Sequence, residues 1–176
     1  MLLALTSYKA QAQRFSISTN LIDNACLGTM NIECAYSVSR HWSLTSGLEY
    51  NPFTFRKGRE DQFQMRQRAF SLGTRLWLWH TWSGWWMAGK MRYQEYNTGG
   101  IFSRSTDEGD RVGMGLYAGY TYMVTSHFNV EFGVGAWSGL DWFRRYDCQL
   151  CGKTVDEGRR WFVLPDDIMI SLVYVF

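Results

Sequence analysis

The chain has 176 residues, enough for one domain with a sizeable core and short for two. Aromatics make up 17% of it, yet hydrophobic residues are only 46% and mean hydropathy is −0.26. A formal charge of +2 gives no electrostatic case for nucleic acid. No stretch approaches the ~18 consecutive apolar residues of a transmembrane helix.

The chain opens on an apolar run, Met1 to Leu5, followed by Ala10-Gln11-Ala12, a small-x-small pattern of the kind signal peptidase cleaves. This predicts a signal segment over residues 1–12, truncated in that no basic region precedes the apolar run, and a single domain over residues 13–176. Period-2 alternation then recurs throughout, with little sign of a 3.6-residue period. It predicts eight strands at about residues 14–22, 28–39, 42–53, 66–79, 84–96, 111–124, 128–141 and 166–176. The last ends the chain on Phe176, as bacterial outer-membrane barrel strands do.

The expected connections alternate in length. Residues 39–41, 80–83 and 125–127 read as short turns, and residues 54–65, 97–110 and 143–165 as long polar loops. The first connection, around Cys26, is short. This is the pattern of short periplasmic turns and longer external loops, with both termini periplasmic.

The two faces of each strand separate by size and polarity. In the second strand Met30, Ile32, Cys34, Tyr36 and Val38 oppose Thr29, Asn31, Glu33, Ala35 and Ser37. In the sixth, Met114, Leu116, Ala118, Tyr120 and Tyr122 oppose Gly113, Gly115, Tyr117, Gly119 and Thr121. An eight-stranded barrel is just wide enough inside for side chains to fill it. The bulky apolar face would overfill that space, whereas the Gly, Ser, Thr and Ala of the polar face fit it. The expected fold class is therefore all-β, a closed eight-stranded antiparallel transmembrane barrel with its apolar face turned outward. Closure leaves no open sheet edge in hydrocarbon.

Aromatics cluster at the strand ends, where interfaces belong. Trp42, Trp79, Trp82, Trp85, Tyr174 and Phe176 are expected as interface anchors on the short-turn side. The inward face carries Glu33, Glu49, Arg75, Lys90, Arg92 and Glu131, three acids against three bases. Unpaired charges in so narrow a lumen are costly. A structural ion-pair network is the favoured reading, ahead of a gated ion path.

The three histidines, His41, His80 and His127, each fall in a different short turn, with no nucleophile–base pattern around them. No catalytic residue, metal site or cofactor is expected. Cys148-x-x-Cys151 in the last loop lacks the second ligand pair of a zinc site and the βα setting of a redox motif. A loop disulfide among Cys148, Cys151 and Cys26 is the simpler reading in an oxidising compartment. Cys34 is read as a small apolar residue of the outer face.

The segments Ser18-Thr19-Asn20-Leu21-Ile22, Tyr50-Asn51-Pro52-Phe53-Thr54-Phe55, Arg75-Leu76-Trp77-Leu78-Trp79, Gln94-Glu95-Tyr96-Asn97 and Cys148-Gln149-Leu150-Cys151-Gly152 resemble an uncharacterised family of small outer-membrane barrels in Bacteroidota. It is one of the domain-of-unknown-function families, and its architecture is similar to the eight-stranded OmpA/OmpX kind. The resemblance runs from about Phe15 to Phe176 and supplies no catalytic residues. Family members are often encoded beside fimbrillin-like surface-filament proteins, which implies a role in the biogenesis or anchoring of surface fimbriae.

The sequence thus leads to a non-enzymatic, monomeric outer-membrane barrel that presents external loops. Its expected partners are outer-membrane lipid, the barrel-assembly machinery during insertion, and fimbrial or other cell-surface proteins. The loops at residues 56–61 and 104–111 are the candidate contact segments. The alternatives are a lipid-modifying outer-membrane enzyme and a soluble lipocalin-like ligand-binding barrel.

Overall fold

A computed structural model describes residues 13–58, 62–100, 105–147 and 153–176. The elements in chain order are β1 (Phe15–Asn20), α1 (Leu21–Ala25), β2 (Met30–Ser37), β3 (Trp42–Asn51), the two-residue β4 (Thr54–Phe55), β5 (Phe63–Trp77), β6 (Gly84–Gly99), β7 (Thr106–Met123), β8 (Phe128–Tyr146) and β9 (Thr154–Val175). All strand pairings are antiparallel. Each long strand pairs with the next, β3 pairs across to β5, and β9 returns to β1, which closes an eight-stranded barrel with β4 appended to β5. At the closing seam the Phe176 amide donates to the Phe15 carbonyl at 2.8 Å, and the two rings meet at 5.7 Å.

The alternation inferred from sequence holds, and it is inverted relative to a soluble protein. The outer wall carries Leu44, Leu48, Phe70, Leu72, Met91, Met114, Leu116, Phe132 and Ile168, all exposed, with Leu116 at 78%. Inside lie Ser16, Ser43, Thr45, Arg75, Lys90, Arg92, Thr121, Asn129 and Glu131, all buried. Among the described residues no helix is long and apolar enough to cross a membrane.

Three expectations change. First, most of the expected long loops are strand. β8 and β9 pair through Arg145↔Asp156 and Tyr146↔Thr154, and β6 and β7 through Gly99↔Thr106. Hydrogen-bonded pairing continues where both faces turn polar, and polar residues on both faces erase the alternation that marks a strand. Second, the first connection contains a helical turn. The Asn20 side chain accepts from the Ile22 amide at 3.2 Å and donates to Asp23 at 2.8 Å, a capping arrangement that ends β1. Third, β9 changes its outward parity: Trp161 and Val163 face out above, Ile168 and Ile170 below. A register shift opposite Val134/Ala136, beside Pro165, absorbs the extra residue.

Size exclusion is also subtler than the sequence suggested, because the lumen does take large rings. Trp77, Trp86, Tyr117 and Trp137 are all buried inside. Glycines stand opposite three of them, Gly119 across from Trp86, Gly135 from Tyr117 and Gly115 from Trp137. A Cβ built on Gly135 would stand 2.0 Å from Tyr117 Cδ1, and one on Gly119 would stand 2.5 Å from Trp86 Cζ2. A Cβ on Gly89, by contrast, would meet nothing within 4 Å. Gly135→Ala is therefore expected to destabilise the barrel by about 1–3 kcal/mol through overpacking. Gly89→Ala should be near neutral, and urea unfolding followed by tryptophan fluorescence separates the two.

Candidate functional site

The barrel interior is built in three layers. At the end formed by residues 38–41, 78–83 and 124–127, tryptophans fill the lumen. Trp77 donates its indole N–H to Ser43 Oγ at 3.0 Å and meets Trp82 edge-on at 5.7 Å. Trp82 donates to the Gln13 carbonyl at 3.0 Å, and Asn129 donates to the Trp82 carbonyl at 3.0 Å. Trp82 is thus a buried plug and not an outward anchor. Its backbone has φ 72°, a left-handed conformation that swings the ring under the barrel. The other expected anchors, Trp42, Trp79, Trp85, Tyr174 and Phe176, are on the exposed outer wall. The histidines remain in their separate turns, with His41 Nδ1 3.0 Å from the Trp77 carbonyl oxygen and His127 stacked on Tyr174.

Above the plug, all six expected lumen charges come together. Arg75 donates from Nη1 to both oxygens of Glu131 at 2.8 and 2.9 Å, and from Nη2 to Glu33 at 2.8 Å. Lys90 pairs with the other oxygen of Glu33, and Arg92 pairs with Glu49. Thr121 donates to Glu131 at 3.0 Å. Each cation also faces a ring: Arg75 lies over Trp86 at 4.1 Å, Lys90 over Tyr117 at 4.9 Å and Arg92 over Trp137 at 5.2 Å. A polar cavity of about 50 Å³ beside Arg75, Lys90, Glu33 and Glu49 has room for a few water molecules.

A second cluster nearer the other end lies beyond the six. Asp141, fully buried, accepts from Tyr96 at 2.8 Å and from Arg160 at 2.7 Å, with Arg111 at 3.3 Å. Arg145 forks onto Asp107 at 2.7 and 2.8 Å. Extending the inward parity of the sixth and seventh predicted strands would have found Arg111 and Asp141. Tyr96 likewise shares the inward parity of Lys90 and Arg92 on the fifth predicted strand, and Asp107, Arg145 and Arg160 sit in segments expected to be loops. An open cavity of about 870 Å³ at this end is bordered by Tyr50, Arg68, Tyr96, Phe143 and Arg159, among others.

Cys26 and Cys34 are free thiols, and Cys148 and Cys151 lie outside the described residues, as do residues 59–61 and 104 of the candidate contact loops. Among the described residues no group of three or more His, Cys, Asp or Glu could hold a metal ion.

The fold and its interior define a small closed β-barrel, apolar outside and ion-paired within. The chain belongs to the family described as "Protein of unknown function (DUF3575)", which matches residues 1–176. No curated protein and no solved structure matches it.

Two outcomes follow from these contacts. Arg75→Met leaves Glu131 and Glu33 buried without their shared cation and should cost about 3–5 kcal/mol, measured by urea unfolding. Glu131→Gln, which keeps a hydrogen-bond acceptor, should cost less. The second concerns acid. Arg145's hydrogen bonds hold the Asp107 carboxyl below its ordinary value of 3.8, against the opposing effect of partial burial. A carboxyl with a depressed folded-state pKa stabilises fully above its unfolded value and loses that contribution as pH falls through the folded one. Hydrogen exchange around residues 106–107 and 144–146 should accelerate below about pH 4, and Asp107→Asn should remove that pH dependence.

Proposed function

We propose that the chain is a non-enzymatic outer-membrane β-barrel. In this reading residues 38–41, 78–83, 124–127 and both termini are periplasmic, and the tall hairpins of β5 to β9 face the outside. The single observation that carries it is the outer wall. Large apolar side chains cover a closed barrel whose buried interior holds charges, the reverse of what water selects. So extensive an apolar surface needs a lipid solvent.

The lumen supports a structural role over the alternatives. A lipocalin-type barrel needs an apolar calyx, and this interior holds ion pairs. Glu33, Glu49, Glu131, Asp107 and Asp141 each face an Arg or Lys, so none is poised as a general base for lipid chemistry. The tryptophan layer fills the end through which an ion path would have to leave. The charged outer ends of the hairpins are then the surface offered to other cell-surface proteins. The accessory role in surface fimbriae is carried by the family resemblance, and crosslinking on intact cells tests it.

The expected outcome is recovery in the outer-membrane fraction, solubility only with detergent, and a gel band that shifts on boiling as the barrel unfolds. Extraction into buffer without detergent would defeat the reading.

A further inference from the structure

At its upper end the outer face of β5 carries two arginines that border the open cavity and take no part in the ion pairs of the lumen. Arg66 and Arg68 are exposed on the same outward face as Phe70 and Leu72, one step beyond them along the strand. Their spacing of two residues puts the Cα atoms roughly 7 Å apart on one face. Neither charge has an ion-pair partner nearer than 4.0 Å among the described residues, although Glu95, Glu108 and Asp110 border the same cavity. Arg66 is in no ion pair among the described residues. Arg68 lies 4.0 Å from Glu95, with side chains 71% and 49% exposed. The Tyr93 hydroxyl lies 3.0 Å from Asp110 and 3.3 Å from Glu95, so its one proton serves one carboxylate at a time. The flanking positions are Tyr50 on β3, opposite Arg68, and Asn97 on β6, opposite Arg66. The other outward arginines of this end share a carboxylate: Arg144 is 3.3 Å from Glu157, and Arg159, diagonal to Arg144 across the β8–β9 pair, follows Glu157 on its own face.

We propose that Arg66 and Arg68 bind a phosphomonoester of lipid A, a more highly charged anion than the phosphodiester of a zwitterionic phospholipid, with acyl chains lying down the column of Phe70, Leu72 and Leu48. This rests on the outer-membrane reading above. A guanidinium offers two parallel N–H donors to a phosphate, and charge-assisted hydrogen bonds of this kind are the strong ones. Arginine also suits the place. Its aliphatic stem lies on the apolar wall while the head reaches the polar layer. Two forks within one strand repeat can hold one phosphate from two sides, while Tyr50, opposite Arg68, packs against the sugar of the headgroup.

The test uses the full chain reconstituted into phosphatidylcholine vesicles doped with lipid A, then re-extracted in mild detergent, with retained lipid A counted by mass spectrometry. Wild-type chain should retain lipid A. The Arg66→Gln/Arg68→Gln variant should retain about tenfold less, the loss expected when a charge-assisted contact worth about 1.4 kcal/mol is removed. Arg40→Gln, at an exposed turn position at the opposite end of the barrel, should match wild type. A second arm needs no variant: wild type offered lipid A stripped of phosphate should retain about tenfold less than with intact lipid A. Equal retention by wild type and double variant, or of both lipids by wild type, overturns the site. Flotation is scored separately. A chain that floats with neither vesicle type overturns the membrane reading and this site with it, whereas insertion without phosphate selectivity overturns the site alone.

Discussion

A guanidinium shared by two carboxylates in the middle of the barrel is the contact on which the rest of the interior depends. Arg75 on β5 reaches across the lumen to Glu131 on β8 and to Glu33 on β2. Three strands far apart in sequence are thereby tied at one height. The tie works only as a balanced set. Arg75 alone would be a buried cation without a solvent, and Glu33 would keep one oxygen unsatisfied without Lys90. Coulombic attraction in a narrow, poorly hydrated space is strong, but so is the cost of leaving either partner alone. The interior therefore favours one register of the closed sheet. A slip of one residue would turn these charges to the apolar wall and the apolar wall inward.

The aromatic residues make that polar interior compact. Arg75 lies between Trp77 and Trp86, Lys90 over Tyr117, Arg92 over Trp137, and Arg111 over Tyr96. Each cation thus trades part of its lost hydration for a ring face. Rings of that size fit only because β7 and β8 present glycines where the rings pass. Glycine in a strand weakens it through backbone entropy and lost side-chain packing. Here the loss is offset by the rings and ion pairs the space admits, so glycine, tryptophan and arginine form one packing solution distributed over four strands.

Much of this was legible in the sequence. The period-2 pattern gave eight strands, their faces and all six central lumen charges, because in an alternating strand the parity of a residue fixes its side. What was not legible has physical causes. Trp82 goes inside because its backbone adopts a positive φ in the turn, and strand parity says nothing about a turn residue. The upper cluster of Asp107, Arg145 and Arg160 was hidden in apparent loops, since strands that leave the apolar band lose their contrast between faces. Pro165 looked like the end of a loop but sits inside β9, where a bulge suits a residue with no N–H to give. The Asn20-Leu21-Ile22-Asp23 cap was written in residues whose apolar middle pair looked like a continuing strand.

Wall height is the remaining consequence of the chain. β1 has 6 residues and β9 has 22, so the barrel is low where α1 ends it and tall where β8 and β9 rise. The tall side is polar on both faces: Asp107, Arg145 and Arg160 brace it from within, and Arg144 and Glu157 pair on its outside. A hairpin that keeps its ladder and fills both faces with ion pairs holds its shape without an apolar core of its own. The negative mean hydropathy has the same origin. Every strand contributes one face to an apolar wall and one to a charged interior, and the tallest strands add a further polar stretch. The average cancels, although the apolar residues are concentrated in one continuous outer band.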